Sequence, residues 1–156
     1  MGAAVEVVVP PEFEQVRGPL ADLAAAALEA EGLSAPVVVS LVDERIIAGL
    51  NGRYRGVDGP TDVLSFRYAD DSSAWPGEQD PSPGGEVAVC PAVVHRYALK
   101  EKEDPGRQLG WTVVHGILHL AGYDHETDRG EMRRREQELL RELEPLLGAL
   151  VPKAGG

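Results

Sequence analysis

Apolar positions along this chain switch between a two-residue period and a three-to-four-residue period, and the switches mark out its elements. Val5, Val7 and Val9 recur at alternate positions, a strand pattern that Pro10-Pro11 ends. After a short acidic segment and Gly18-Pro19, the alanine-rich run Leu20 to Glu31 predicts a helix, with Pro19 in its first turn and Gly32 as its stop. Val37 to Val42 is largely apolar and predicts a central strand. Asp43 is placed to cap a short helix carrying Ile46, Ile47 and Leu50 and ending at Asn51-Gly52. Val63 to Phe66 predicts a strand behind the polar pair Thr61-Asp62, and Gly85 to Cys90 predicts another with alternating side chains. Between them, Tyr68 to Gly84 is rich in Asp, Ser, Pro and Gly without periodicity, which predicts a long, mobile loop.

Pro91 opens a helix through Val93, Val94, Tyr97 and Ala98 that runs into the charged stretch Lys100 to Asp104, with His95 on its surface. Asp128 and Glu131 read as a capping box for a last helix whose buried stripe is Met132, Leu139, Leu140 and Leu143. Arg134 with Glu138, and Glu131 with Arg135, are spaced to pair along its outer face. Residues 150–156 read as a frayed tail.

One stretch breaks the scaffold pattern. It runs His115-Gly116-Ile117-Leu118-His119-Leu120-Ala121-Gly122-Tyr123-Asp124-His125 and holds three of the four histidines of the chain. Trp111, Val113, Val114, Ile117 and Leu118 predict a buried helix around the first two. Side chains four apart share one helical face, so the imidazoles of His115 and His119 can point at one ion. Gly122 can end the helix in a left-handed turn and return His125 as a third ligand. Three neutral nitrogens and an open fourth position describe a catalytic zinc site rather than a structural one. A single histidine in a helix is most often a satisfied core residue. Three at these offsets, with a glycine between the second and third, are hard to obtain from packing, because Leu or Val fills a core at lower desolvation cost.

Size and charge narrow the classes. The 156 residues, 43% of them hydrophobic, are enough for one domain with its own core, spanning 1–156. With one cysteine, Cys90, there is no intramolecular disulfide and no thiolate zinc cluster; its apolar neighbours predict a buried structural thiol. Met1 to Val9 lacks the positive start of a signal peptide, and no stretch is long enough to span a bilayer, so a cytoplasmic protein without a membrane partner is expected. The net charge of −11 is awkward for a nucleic-acid partner, which favours clustered Lys and Arg. A nucleic-acid partner would be reached either through the arginines at 53, 55, 67 and 133–135 gathered as a positive cleft on the metal face, which is the expectation, or mainly through other proteins bound to it.

The offsets of the histidine stretch resemble the metzincin metalloprotease motif H-E-x-x-H-x-x-G-x-x-H, except that Gly116 stands where those enzymes keep their general base. Taken whole, His115 to His125 resembles the H-G-x-L-H-L-x-G-Y-D-H signature of the YbeY family of bacterial rRNA maturation factors. A second block of that family, L-N-x-x-Y-R followed by T-D-V-L-S-F, is matched by Leu50 to Arg55 and Thr61 to Phe66, and Gly85 to Val89 resembles the strand that follows. The resemblance runs from about Asp43 to Leu140; Arg67 departs from it by replacing a usual proline, and the acidic loop to Gly84 is long.

The resemblance implies an α+β fold: a small mixed β-sheet of about four strands packed with helices, a zinc-protease-like core, and the metal site on a helix. It implies a zinc-dependent endoribonuclease specific for single strands, acting in 16S rRNA 3′-end maturation and ribosome quality control. One Zn²⁺ per chain would be held by His115, His119 and His125, with Arg55 as the arginine near the metal. The implied partners are single-stranded rRNA precursor and the ribosome or its small-subunit proteins. Two routes fit such a site: attack on a phosphodiester by metal-activated water, or attack by the ribose 2′-hydroxyl with zinc polarising a non-bridging oxygen. In either, Arg55 would stabilise charge on the phosphorane-like transition state. Asp124 beside His125 can accept a proton or orient an imidazole, and the second role is the better fit. Two other classes compete: a metal-dependent hydrolase of peptides or small molecules, disfavoured for peptides by Gly116, and a non-enzymatic assembly factor with a structural zinc.

Overall fold

The computed structural model describes residues 4–67, 84–123 and 128–150. The loop expected over 68–84 (apart from Gly84), Asp124, His125 and the tail 151–156 lie outside the described residues. In chain order the elements are β1 (Val5–Val8), a 3-10 segment (Pro11–Val16), α1 (Arg17–Ala30), β2 (Val37–Leu41), α2 (Glu44–Arg55), β3 (Val63–Arg67), β4 (Gly85–Val89), α3 (Pro91–Glu101), α4 (Pro105–Leu120), α5 (Glu131–Glu142) and α6 (Glu144–Gly148). The strands form one mixed sheet in the order β1-β2-β4-β3. β1 and β4 flank β2 in parallel (Val5 opposite Val37, Val39 opposite Val87), and β3 closes one edge antiparallel to β4 (Val63 opposite Val89). The fold is the expected α+β with a four-stranded mixed sheet.

The sheet has two unlike faces, because successive side chains on a strand point to opposite sides. Val37, Val39, Leu41, Val87 and Val89 face α1 and α4 and belong to the main core with Leu20, Leu23, Leu109 and Ile117. Leu64, Ala88 and Cys90 face the other way, under Ile47 of α2 and Val93 of α3. Cys90 is a buried thiol, as expected. β4 is buried along most of its length rather than alternating, since both of its faces are covered.

α4 is the central helix. Asp104 caps it by accepting from the Arg107 N–H at 3.0 Å, and Pro105 occupies its first turn. Its buried set, Leu109, Val113, Val114, Ile117, Leu118 and Leu120, covers most of the helix circumference. Each such side chain contributes about 1.5–3 kcal/mol when fully buried. Beyond Gly110 the accessible positions are Trp111, His115 and His119, one stripe at intervals of four. Trp111 is thus partly exposed, where a buried residue was expected.

Several sequence expectations need correction. α2 does not stop at Asn51-Gly52 but continues to Arg55 and ends at Gly56, which takes the left-handed conformation (φ 66°). The Asn51 amide is buried inside the helix–loop junction, donating from Nδ2 to the Gly59 carbonyl at 2.9 Å, so a residue that commonly ends helices here holds the following loop. The acidic segment before α1 is a 3-10 turn that leads into the helix three residues before the expected start. Leu150 belongs to the core rather than to a frayed tail. Around α5, Asp128 accepts from the Gly130 and Met132 N–H groups while Glu131 accepts from the Arg129 N–H, a reciprocal cap with Gly130 at the boundary. The charged pairs on α5 fall at i,i+3 (Arg135 with Glu138, Arg134 with Glu131) rather than at i,i+4.

Candidate metal centre

His115 and His119 project from the accessible stripe of α4, their ring centroids 4.9 Å apart and nearly perpendicular at 78°. Each ring is oriented through Nδ1. That of His115 donates to a Glu136 carboxylate oxygen on α5 at 2.8 Å, and that of His119 donates to the Tyr123 carbonyl at 3.1 Å. Carboxylate and carbonyl oxygens only accept, so both rings carry their proton on Nδ1, and in the neutral form the lone pair lies on Nε2. Two imidazoles oriented in this way, one by a carboxylate and one by a backbone carbonyl, are the donor chemistry of a zinc-like ion. The hydrogen bond that His115 donates to Glu136 holds the His115 pKa above the ordinary imidazole value; burial opposes the shift, and the charges of Glu136 and of Asp62 reinforce it.

The turn after α4 explains the second of these bonds. Ala121 ends the helix and Gly122 takes φ 102°. The Gly122 N–H then bonds the His119 carbonyl at 3.0 Å and the Tyr123 N–H bonds that of Leu118 at 3.1 Å, a Schellman closure. Folding back in this way presents the Tyr123 carbonyl to the His119 ring. Arg67 of β3 closes the same helix end by donating from Nε and Nη2 to the Leu120 carbonyl.

Gly116 faces the sheet. A Cβ there would lie 2.6 Å from Val87 Cγ1 and 3.1 Å from both Ser65 Oγ and Val63 Cγ2. The Gly116 carbonyl accepts from the Ser65 hydroxyl at 2.8 Å. The position that a metzincin-like protease reserves for its glutamate is therefore filled by the packing of α4 on β3 and β4.

The structure brings together His115 and His119; His125 and Asp124 lie outside the described residues. Among the described residues no three His, Cys, Asp or Glu side chains form a metal-holding group. Arg55 lies exposed in the last turn of α2, beside Arg53. The arginines expected on the metal face divide. Arg67 is bonded to Leu120, Arg135 joins Glu31, the residue after α1, at 2.6 Å, and Arg53, Arg55, Arg133 and Arg134 are exposed. The sequence pattern does not single out Glu136 as a partner of His115, nor Asp62, read only as part of a polar pair before β3, as a charge that reaches His115. The only available signal for Glu136 was a carboxylate on the helix following the motif.

Comparison with known proteins decides the family. The model of the family described as Endoribonuclease YbeY matches residues 9–144. The chain belongs to the YbeY family. Relatives named Endoribonuclease YbeY from Roseiflexus sp. (strain RS-1) and Pelotomaculum thermopropionicum are 43% and 41% identical to this YbeY-family chain. The first alignment covers 87% of this chain and 89% of the relative, and the second 81% and 86%. A solution structure from Thermotoga maritima superposes with a TM-score of 0.60 at 28% identity, covering 97% of this chain and 99% of the other. Among the described residues, no helix is long and apolar enough to cross a membrane.

Proposed function

We propose that this chain is an endoribonuclease that cuts single-stranded RNA during maturation of the 16S rRNA 3′ end, using one zinc ion held by His115, His119 and His125. The observation that carries the reading is the pair of imidazoles on α4, each with Nδ1 engaged, which leaves Nε2 as the atom that would coordinate a metal. When bound, zinc supplies Lewis acidity at a phosphodiester oxygen and lowers the pKa of a coordinated water. Glu136 and the Tyr123 carbonyl keep the two rings in register for it. Asp124, next to His125 in sequence, is the carboxylate that would orient the third ring. Arg55 offers a planar fork of donors to the phosphate and stabilises the charge that builds on it during attack. Gly116, pressed against Val87, argues against a peptidase of the metzincin kind, which needs a carboxylate there.

The test combines metal content with cleavage. Wild type and His119→Ala are purified, bound zinc is counted, and both receive a single strand carrying the 16S 3′ extension. The expected result is about one zinc per wild-type chain with RNA cut, and loss of both in the variant. Zinc without cleavage, even with ribosomes present, rejects the nuclease reading and leaves an assembly factor. A 2′,3′-cyclic phosphate on the product assigns the attack to the ribose hydroxyl.

A further inference from the structure

On the opposite side of edge strand β3 from α4, an aromatic side chain stands exposed among arginines. Tyr54, in the last turn of α2, is 59% exposed. Its ring lies against Phe66 with centroids 4.8 Å apart and planes tilted by 55°, so the half-buried Phe66 side chain supports it from below. The Arg53 guanidinium lies 6.0 Å from the ring centroid, and Arg55 follows on the same turn. Among the described residues no carboxylate pairs with Arg53 or Arg55, whereas Arg17, Arg96, Arg107 and Arg135 are each tied to a glutamate. In a chain of net charge −11, two unpaired guanidiniums beside an exposed ring form a local positive patch.

We propose that Tyr54, backed by Phe66 and flanked by Arg53 and Arg55, is a stacking platform for a nucleobase of single-stranded RNA. Stacking on an aromatic face with cations tracking the backbone is how proteins hold single strands without reading sequence. The platform has its supports in place before binding. Phe66 limits the tilt of the tyrosine, and Asn51 fixes the loop that follows through its bond to Gly59. It is also close to the metal helix in the fold. β3 is the edge strand, with Ser65 bonded to Gly116 on one face and Phe66 under Tyr54 on the other. A strand lying over Tyr54 can wrap this edge and bring the neighbouring phosphate towards Arg55 and the histidines. Base-paired RNA offers no exposed base face, so the platform accounts for a preference for single strands.

This inference rests on the endoribonuclease reading, and the experiment separates the two. Binding of a fluorescent 2′-O-methyl single strand of about ten nucleotides is measured by anisotropy, and KM and kcat are measured on the corresponding RNA, with the zinc-loaded protein. Tyr54→Ala should weaken binding roughly tenfold or more and raise KM to match, with kcat little changed. Tyr54→Phe and Tyr54→Trp should bind like wild type, because the ring face and not the hydroxyl makes the contact. Tyr97→Ala, which removes an exposed tyrosine of α3, should have no effect. Thermal unfolding of each variant confirms that the fold is kept. If wild type cuts RNA and Tyr54→Ala binds and cuts equally well, the platform is wrong and the nuclease reading stands. Wild type that neither binds nor cuts single strands overturns both.

Discussion

Arg67 on β3 donates from Nη2 at 2.8 Å and from Nε at 3.2 Å to the backbone carbonyl of Leu120, the last residue of α4. That carbonyl is one of the acceptors a helix end leaves unsatisfied, and it lies between His119 and the turn towards His125. The bond ties α4 to the sheet at the end of the helix, one residue beyond His119. Proline, usual at this position in the YbeY pattern, has no donor to offer. Arg67→Ala should therefore cost about 1.5–3 kcal/mol, the range for a hydrogen bond to a charged group, and lower Tm by about 2–4 °C per kcal/mol. Zinc affinity, measured against a competing chelator, should fall with it. Arg67→Lys should recover part of the loss, since one ammonium can reach the carbonyl but cannot reproduce the two-pronged contact. An unchanged Tm and an unchanged zinc affinity in Arg67→Ala would show that this helix end is held by the Schellman turn alone.

Glu136 bears on the proposed metal site more directly. Its carboxylate, mostly buried, receives the Nδ1–H of His115 and fixes both the tautomer and the ring orientation. Removing such a partner usually costs about 10- to 100-fold in metal affinity. Glu136→Ala should fall in that range, and Glu136→Gln should lose less because it keeps an acceptor but not the charge. Chelator competition gives the affinities, and circular dichroism checks that α5 persists. If Glu136→Ala binds zinc like wild type, the carboxylate is a surface partner of His115 with no part in the site.

Whether a feature could be read from the sequence depended on how local its cause was. The apolar face of α4, the left-handed Gly122 and the Asp43 cap of α2 all follow from residues within a few positions of one another, and all were legible. The ties that orient the site are long-range. Glu136 lies on a different helix from His115, and Arg67 reaches Leu120 across about a third of the chain. Neither follows from any periodicity, because both depend on how α4 settles on β3 and α5. Asn51 shows the same override at short range. Its preference for helix ends gave way once burial supplied its amide with the Gly59 carbonyl. The antiparallel edge position of β3 was equally out of reach, since pairing order depends on which strand β4 meets and not on the composition of either.

Gly116 is where these levels of explanation give opposing signs. On helix propensity alone, Gly116→Ala in the middle of α4 should stabilise the chain by about 1 kcal/mol. In the fold, the new methyl would meet Val87 Cγ1 at 2.6 Å and crowd Ser65 and Val63 at 3.1 Å. The atoms in the way belong to buried sheet residues with little room to shift, and overpacking of this kind costs about 1–3 kcal/mol. The net expectation is destabilisation, with the Ser65–Gly116 bond lengthened and the histidine stripe pushed away from the sheet. Gly116→Glu should be worse and should gain no peptidase activity, because the side chain would enter the sheet contact rather than reach the metal. The decisive comparison is Gly116→Ala alone against Gly116→Ala combined with Val87→Ala, each measured by thermal unfolding. If Val87 is the obstacle, adding Gly116→Ala to the Val87→Ala background should cost clearly less than adding it to wild type. Equal costs in the two backgrounds, or a Tm raised by Gly116→Ala alone, would mean that α4 does not approach β4 this closely, and the steric argument against a glutamate at this position would fail with it.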